Sequence, residues 1–192
     1  MEDFGLWFST GAAHIADLKG YDHILFVLSL CGSYRFRDWK PLLALVTAFT
    51  LGHSITLALS VLGKLPLDTA WVEFLIPVTI ALTALWQLQQ GDKKSNPKVG
   101  LLYVFTAAFG LIHGLGFSFL LRSMLGSQEQ LFWPLLGFNL GLEAGQLLIV
   151  LVALVAAAIA GGMGIQAGKW RFFVNSAIFG IALILLLERL PV

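Results

Sequence analysis

Residues 131–160, LFWPLLGFNLGLEAGQLLIVLVALVAAAIA, form a long, almost uninterrupted apolar run. A helix that crosses the hydrocarbon core of a bilayer needs about 20 such residues. The rest of the chain has the same character: 58% of its 192 residues are hydrophobic and only 12% are charged. The mean hydropathy is +0.84. The sequence therefore predicts an all-α, polytopic membrane protein, with residues 1–192 as a single transmembrane domain.

The other apolar runs predict a six-helix transmembrane bundle. The predicted crossings are about 21–34, 41–63, 69–89, 100–121, 131–160 and 170–187. The first crossing is short, but apolar residues recur at helical spacing over residues 4–18 just before it. We interpret residues 4–18 as an amphipathic helix, interfacial or re-entrant, which is separated from the first crossing by a break at Lys19 and Gly20. The bundle is thus predicted to have a broken N-terminal amphipathic segment.

The basic residues predict the orientation of the bundle. Eight of the 12 Lys and Arg residues lie in the loops 34–40 and 91–98 or at the start of crossing six: Arg35, Arg37, Lys40, Lys93, Lys94, Lys98, Lys169 and Arg171. Loops rich in Lys and Arg stay in the cytoplasm, so both termini are predicted to lie on the outer side. The single Cys31 excludes an internal disulfide and a multi-cysteine metal site. The net charge of +1 gives no indication of nucleic acid as a partner, and the lipid bilayer is the expected surrounding.

Several ionisable residues fall within the predicted crossings, between the outer interface and mid-membrane, and five of them are the strongest site candidates: Asp22, His23, His53, His113 and Glu143. Such residues are costly inside a membrane and are usually functional, so we expect most of them to form one site. Imidazoles with one or two carboxylates suit a divalent first-row metal such as Ni, Co or Zn. We expect four polar residues to orient the ligands: Ser54, Glu73, Asn139 and Gln146. Simpler interpretations stay open, namely interhelical hydrogen bonding for Asn139 or Gln146, an interfacial position for His14, and a hydrated helix start for Glu73.

Four blocks of the chain resemble the HupE/UreJ family of membrane proteins, in its second, broadly distributed branch. They are GAAHIADLKGYDHILFVLSL (11–30), TAFTLGHSITLALS (47–60), FGLIHGLGFS (109–118) and FNLGLEAGQ (138–146). The family is regarded as bacterial nickel or cobalt permeases, which implies the bacterial inner (cytoplasmic) membrane. The resemblance implies that five residues bind the metal, namely His14, Asp22, His23, His53 and His113. It also implies that Glu143 and Asn139 support these ligands. The other branch has an HPxxGxDH block where this chain has HIADLKGYDH, so the identity of the metal stays open.

These observations favour a secondary transporter for a divalent transition metal that enters from the outer side. Glu143 would be either a ligand or a proton-coupled carboxylate. An alternative is an intramembrane zinc-dependent hydrolase, in which a metal-bound water attacks the substrate and Glu143 or Asp22 is the general base. A further alternative is a metal sensor or assembly partner without turnover. A homo-oligomer is left open.

Overall fold

The computed structural model describes residues 2–65, 68–90, 99–125 and 131–191, and in these ranges the protein is built from α-helices without strands. The helices are α1 (Glu2–Ile15), α2 (Asp22–Cys31), α3 (Trp39–Val61), α4 (Thr69–Gln89), α5 (Val99–Leu125), α6 (Phe132–Gly162) and α7 (Ala167–Glu188). A short 3₁₀ turn, Phe36–Asp38, precedes α3.

The lengths of the helices confirm the prediction of an all-α polytopic membrane bundle. Within the described ranges, α3, α4, α5, α6 and α7 are each long and apolar enough to cross a bilayer. The apolar α2, with 10 residues, is too short to cross alone. The total of six crossings, which counts α2, stays a prediction. The loop 91–98 with Lys93, Lys94 and Lys98 lies outside the described residues.

The N-terminal segment is broken, as predicted, because α1 ends at Ile15 and α2 begins only at Asp22. Between them the chain turns on Asp17, whose carboxylate accepts a hydrogen bond from the Lys19 backbone N–H at 2.9 Å. Helix α1 packs lengthwise against the first half of α6. Its residues Phe4, Phe8 and Ala12 meet successive glycines of α6: Gly137, Gly141 and Gly145. The two helices therefore run in the same direction.

A second parallel pair, α3 and α5, forms the most extensive helix contact of the bundle. Gly52 of α3 faces the backbone of Ala107 and Leu111, and Gly110 of α5 faces the backbone of Phe49 and His53. A Cβ atom on either glycine would collide with a backbone carbonyl of the opposite helix. Small residues at such positions let membrane helices approach closely, and here they bring the backbone of His53 against α5.

Helix α2 packs against α4 and α7 and runs antiparallel to α7. At one end, Gln87 of α4 donates a hydrogen bond to the Leu30 carbonyl oxygen at 3.3 Å, and Ser29 donates to Asn175 of α7 at 2.7 Å. At the other end, Asp22 meets Arg189, the residue that follows α7. The loop with Arg35 and Arg37 therefore belongs to the end where α4 finishes and α7 begins.

Candidate metal site

Histidines from three helices converge inside the bundle. His14 lies in the last turn of α1, His23 in the first turn of α2, and His53 in the middle of α3. Each offers a ligand atom, and these three atoms lie within 4.8 Å of one another, close enough to hold a metal ion. His113 of α5 adjoins the group, because its ring centroid lies 5.0 Å from that of His23. All four histidines of the chain thus gather at one place.

The ring nitrogens of this cluster are buried and mostly unpaired. His53 and His113 have no exposed surface, and His23 is 6% exposed. Five ring nitrogens have no hydrogen-bond partner among the described residues: His14 Nε2, His23 Nε2, His53 Nδ1, His53 Nε2 and His113 Nδ1. A buried polar group without a partner costs about 1–3 kcal/mol. A divalent metal would supply the missing partner for several of these lone pairs at once, so the residues fit a metal ion.

Thr79 of α4 fixes the orientation of the His113 ring. Its hydroxyl oxygen lies 2.9 Å from His113 Nε2 and 2.7 Å from the carbonyl oxygen of Ile76. A hydroxyl has a single hydrogen, and with that hydrogen donated to Ile76 the Nε2–H of His113 must donate to Thr79. The proton of the neutral ring then sits on Nε2, which leaves the Nδ1 lone pair available as a ligand. The sequence pattern gave Thr79 no role at the site.

Aromatic rings enclose the histidines. The centroid of Phe117 lies 3.9 Å from that of His14, and Phe49 lies 5.2 Å from His113. Phe138 stacks near His53 at 6.2 Å, with an interplanar angle of 18°. Phe49, Phe117 and Phe138 are themselves buried. Such an apolar wall limits access of water and lowers the local dielectric constant, which strengthens the interaction between a bound cation and its ligands.

Asp22 lies beside His23 and pairs with Arg189, a residue to which sequence analysis gave no role at the site. Its Oδ2 accepts a hydrogen bond from Arg189 Nη1 at 3.1 Å, while its Oδ1 is buried without a partner among the described residues. The two residues are 167 positions apart in the chain. No local sequence signal could have revealed this pair, because it depends on how α7 packs against α2.

The polar stripe of α6 contacts hydroxyl groups of α3. Thr47 donates to Glu143 Oε1 at 2.6 Å, and Thr50 donates to Gln146 Oε1 at 2.8 Å. Thr47 precedes His53 by six residues, about 9 Å along the helix axis. The structure therefore places Glu143 next to Thr47, while the three mutually close ligand atoms all come from histidines. The Gln146 contact is of the interhelical kind that the simpler interpretation expects.

The remaining predicted residues make local contacts. Asn139 donates to the Leu135 carbonyl oxygen of its own helix at 2.8 Å, while its Oδ1 is buried and unpaired among the described residues. Ser54 donates to the Thr50 carbonyl oxygen at 2.6 Å, also within its helix. Glu73 is exposed on the surface of α4. The structure thus brings His14, His23, His53 and His113 together with Asp22 beside them, and it leaves Glu73 outside this group.

Comparison with known proteins agrees with this architecture. The family model described as HupE / UreJ protein matches residues 1–189, a range that includes all seven helices, the four histidines and the Asp22–Arg189 pair. No curated protein and no solved structure matches the chain. Because the match extends over almost the full length, the chain belongs to the HupE / UreJ family.

Proposed function

We propose that this protein is a secondary transporter that carries a divalent first-row transition metal, nickel or cobalt, across the membrane. One observation carries the proposal: three imidazoles with unpaired nitrogens converge to within 4.8 Å inside a helical membrane bundle. His14, His23 and His53 are the central ligands of the cargo ion. His113 and Asp22 complete the site from α5 and from the start of α2.

The position of the site in the fold supports transport. Discontinuous helices commonly line the substrate sites of transporters, because their ends leave polar groups and room for movement. Here two of the ligands flank such a break: His14 lies just before the end of α1, and His23 lies at the start of α2. We propose that the ion enters from the outer side, with both termini on that side, as the distribution of basic loops predicts.

Flux in reconstituted vesicles tests the proposal. The purified protein is placed in liposomes that contain a metal-sensitive dye, and Ni²⁺ or Co²⁺ is added outside. We expect a protein-dependent signal that His53→Ala abolishes, because that variant removes a ligand whose side chain is fully buried. Ser60→Ala is the matched control, since Ser60 is buried on the same helix about 10 Å farther along the axis.

Binding measured by equilibrium dialysis separates the alternatives. Binding that depends on His53 without any flux would indicate a sensor or an assembly partner. A wild-type protein that binds neither Ni²⁺ nor Co²⁺ would contradict the proposal as a whole.

A further inference from the structure

A positively charged side chain, that of Arg189, lies next to a proposed ligand of the metal site. Arg189 places a guanidinium nitrogen 3.1 Å from Asp22 Oδ2, and Asp22 directly precedes His23. Arginine stays protonated in proteins, so this positive charge is permanent. A divalent ion that uses Asp22 as a ligand must therefore approach a carboxylate that already has a cationic partner.

The ion pair is less completely enclosed than the histidines. The side chains of Asp22 and Arg189 are 12% and 27% exposed. The imidazoles of His53 and His113 have no exposed surface. Arg189 directly follows α7, and Asp22 is the first residue of α2. Asp22 Oδ1, which Arg189 leaves unpaired, is buried and can serve as a ligand atom.

We propose that Arg189 competes with the metal ion for Asp22, so that it lowers the affinity of the site and moves away from the carboxylate when the metal binds. This inference rests on the proposed function, because it takes the histidine cluster to be the binding site of the cargo. In the metal-free protein, Arg189 balances the charge of Asp22. In the metal-bound protein, the divalent ion takes over that balance and repels the guanidinium.

The physical reason is the strength of charge interactions in a partly buried site. Like charges at contact distance repel far more strongly there than in water. A transporter gains from this repulsion, since a site that binds its cargo too tightly cannot release it. The opposite role is a supporting one, in which Arg189 orients Asp22 as a ligand. The two roles predict opposite signs when the charge of Arg189 is removed.

The metal affinity of variants with an altered charge at Arg189 tests whether Arg189 lowers or raises the affinity of the site. The dissociation constant for Ni²⁺ is measured by competition with a chromophoric chelator on purified protein. Arg189→Gln keeps a hydrogen-bond donor for Asp22 but removes the charge, and we expect Ni²⁺ binding to become at least about 5-fold tighter, the lower end of usual coupling between sites. Arg189→Lys keeps the charge and should bind close to the wild-type affinity. In an Asp22→Asn background, Arg189→Gln should change the affinity much less, because the shared carboxylate is gone.

The outcomes are distinct. Weaker or unchanged binding by Arg189→Gln overturns the inference and leaves the histidine site intact. An equal gain with and without Asp22 also overturns it, because the effect would not pass through the pair. Absence of Ni²⁺ binding by the wild-type protein removes the proposed function and this inference together.

A second measurement uses the wild-type protein and does not depend on how the variants fold. Phenylglyoxal modifies accessible arginines, and peptide mass spectrometry reports the rate at each position. Saturating Ni²⁺ should speed modification of Arg189 because the guanidinium leaves Asp22. Arg37, which is 64% exposed at the other end of the bundle, is the internal control. An unchanged rate at Arg189 in Ni²⁺-bound protein would contradict the displacement.

Discussion

Two pairs of parallel helices, α1 with α6 and α3 with α5, use the same packing device for different purposes. In both pairs, glycines bring the backbones into direct contact. The α3–α5 pair supplies His53 and His113, and both helices continue well beyond these residues in each direction. The α1–α6 pair supplies only His14, which lies one residue before the end of α1. On α6, the polar residues Glu143 and Gln146 bond to hydroxyls of α3.

The difference teaches that close packing alone does not determine how firmly a ligand is held. His53 and His113 are fixed by long helices with contacts on both sides of the site. His14 is fixed by a short helix, followed by a stretch of exposed residues from Ala16 to Lys19. A terminal helix that borders an exposed stretch opens locally at a lower free-energy cost than the core. We therefore regard α3–α5 as the scaffold of the site and α1 as its adjustable side.

The largest effect should come from breaking the scaffold at Gly110. Gly110→Val would place a side chain against the Phe49 carbonyl, so the two backbones must separate. We expect a loss of more than about 3 kcal/mol in stability, beyond the usual range for overpacking. The measurement is the fraction of monodisperse protein after heating in detergent. Gly180→Val on α7 is the control, because its Cβ would meet no atom within 4 Å.

A smaller effect is expected from the matching substitution in the other pair. Gly141→Val would collide with the Phe8 carbonyl and push α1 away from α6. Because α1 is short and terminal, the rest of the bundle should stay folded while His14 leaves the site. Loss of this imidazole should weaken Ni²⁺ binding at least about 100-fold, because the loss of a ligand should cost no less than the loss of an outer partner. Chelator competition and the same heating assay measure the two properties on one sample.

The control for this substitution lies on the same helix. Gly161→Val adds the same side chain to α6 where no atom lies within 4 Å, so both properties should be retained. If Gly141→Val unfolded the protein as completely as Gly110→Val, the two pairs would be equally structural. The distinction between scaffold and adjustable side would then be wrong.

The sequence predicted the helices well because apolar length and periodicity are local properties. The runs 41–63, 69–89 and 170–187 correspond closely to α3, α4 and α7. The common depth of His23, His53 and His113 also predicted that these three imidazoles meet, and the family resemblance added His14. An amphipathic pattern, however, does not say whether its apolar face meets lipid or another helix. The packing of α1 along α6 could therefore not be predicted from residues 4–18.

Contacts between distant helices account for the rest. The pairing of Asp22 with Arg189 and of Glu143 with Thr47 depends on crossing angles and on rotation of the helices, which hydrophobic periodicity leaves undetermined. Depth assignment placed Glu143 in the same band as the histidines. A band several residues deep, however, does not determine which side chains of that band come into contact.

The smallest effect should come from Thr79, which acts on the scaffold side without being a ligand. Thr79→Val has nearly the same shape but removes the hydroxyl that accepts from His113 Nε2. The ring then loses the partner that holds its proton on Nε2, and part of the population presents a protonated Nδ1 to the metal. Loss of such an outer partner weakens metal binding by about 10- to 100-fold, and we expect the lower value here.

Thr83→Val is a close control, because Thr83 lies one turn along α4 and its hydroxyl donates to the Thr79 carbonyl oxygen of the same helix. Nickel affinity should fall for Thr79→Val and hold for Thr83→Val, with similar thermal stability in both. Equal affinities would mean that His113 is oriented by packing alone and that the scaffold needs no hydrogen bond to present its ligand.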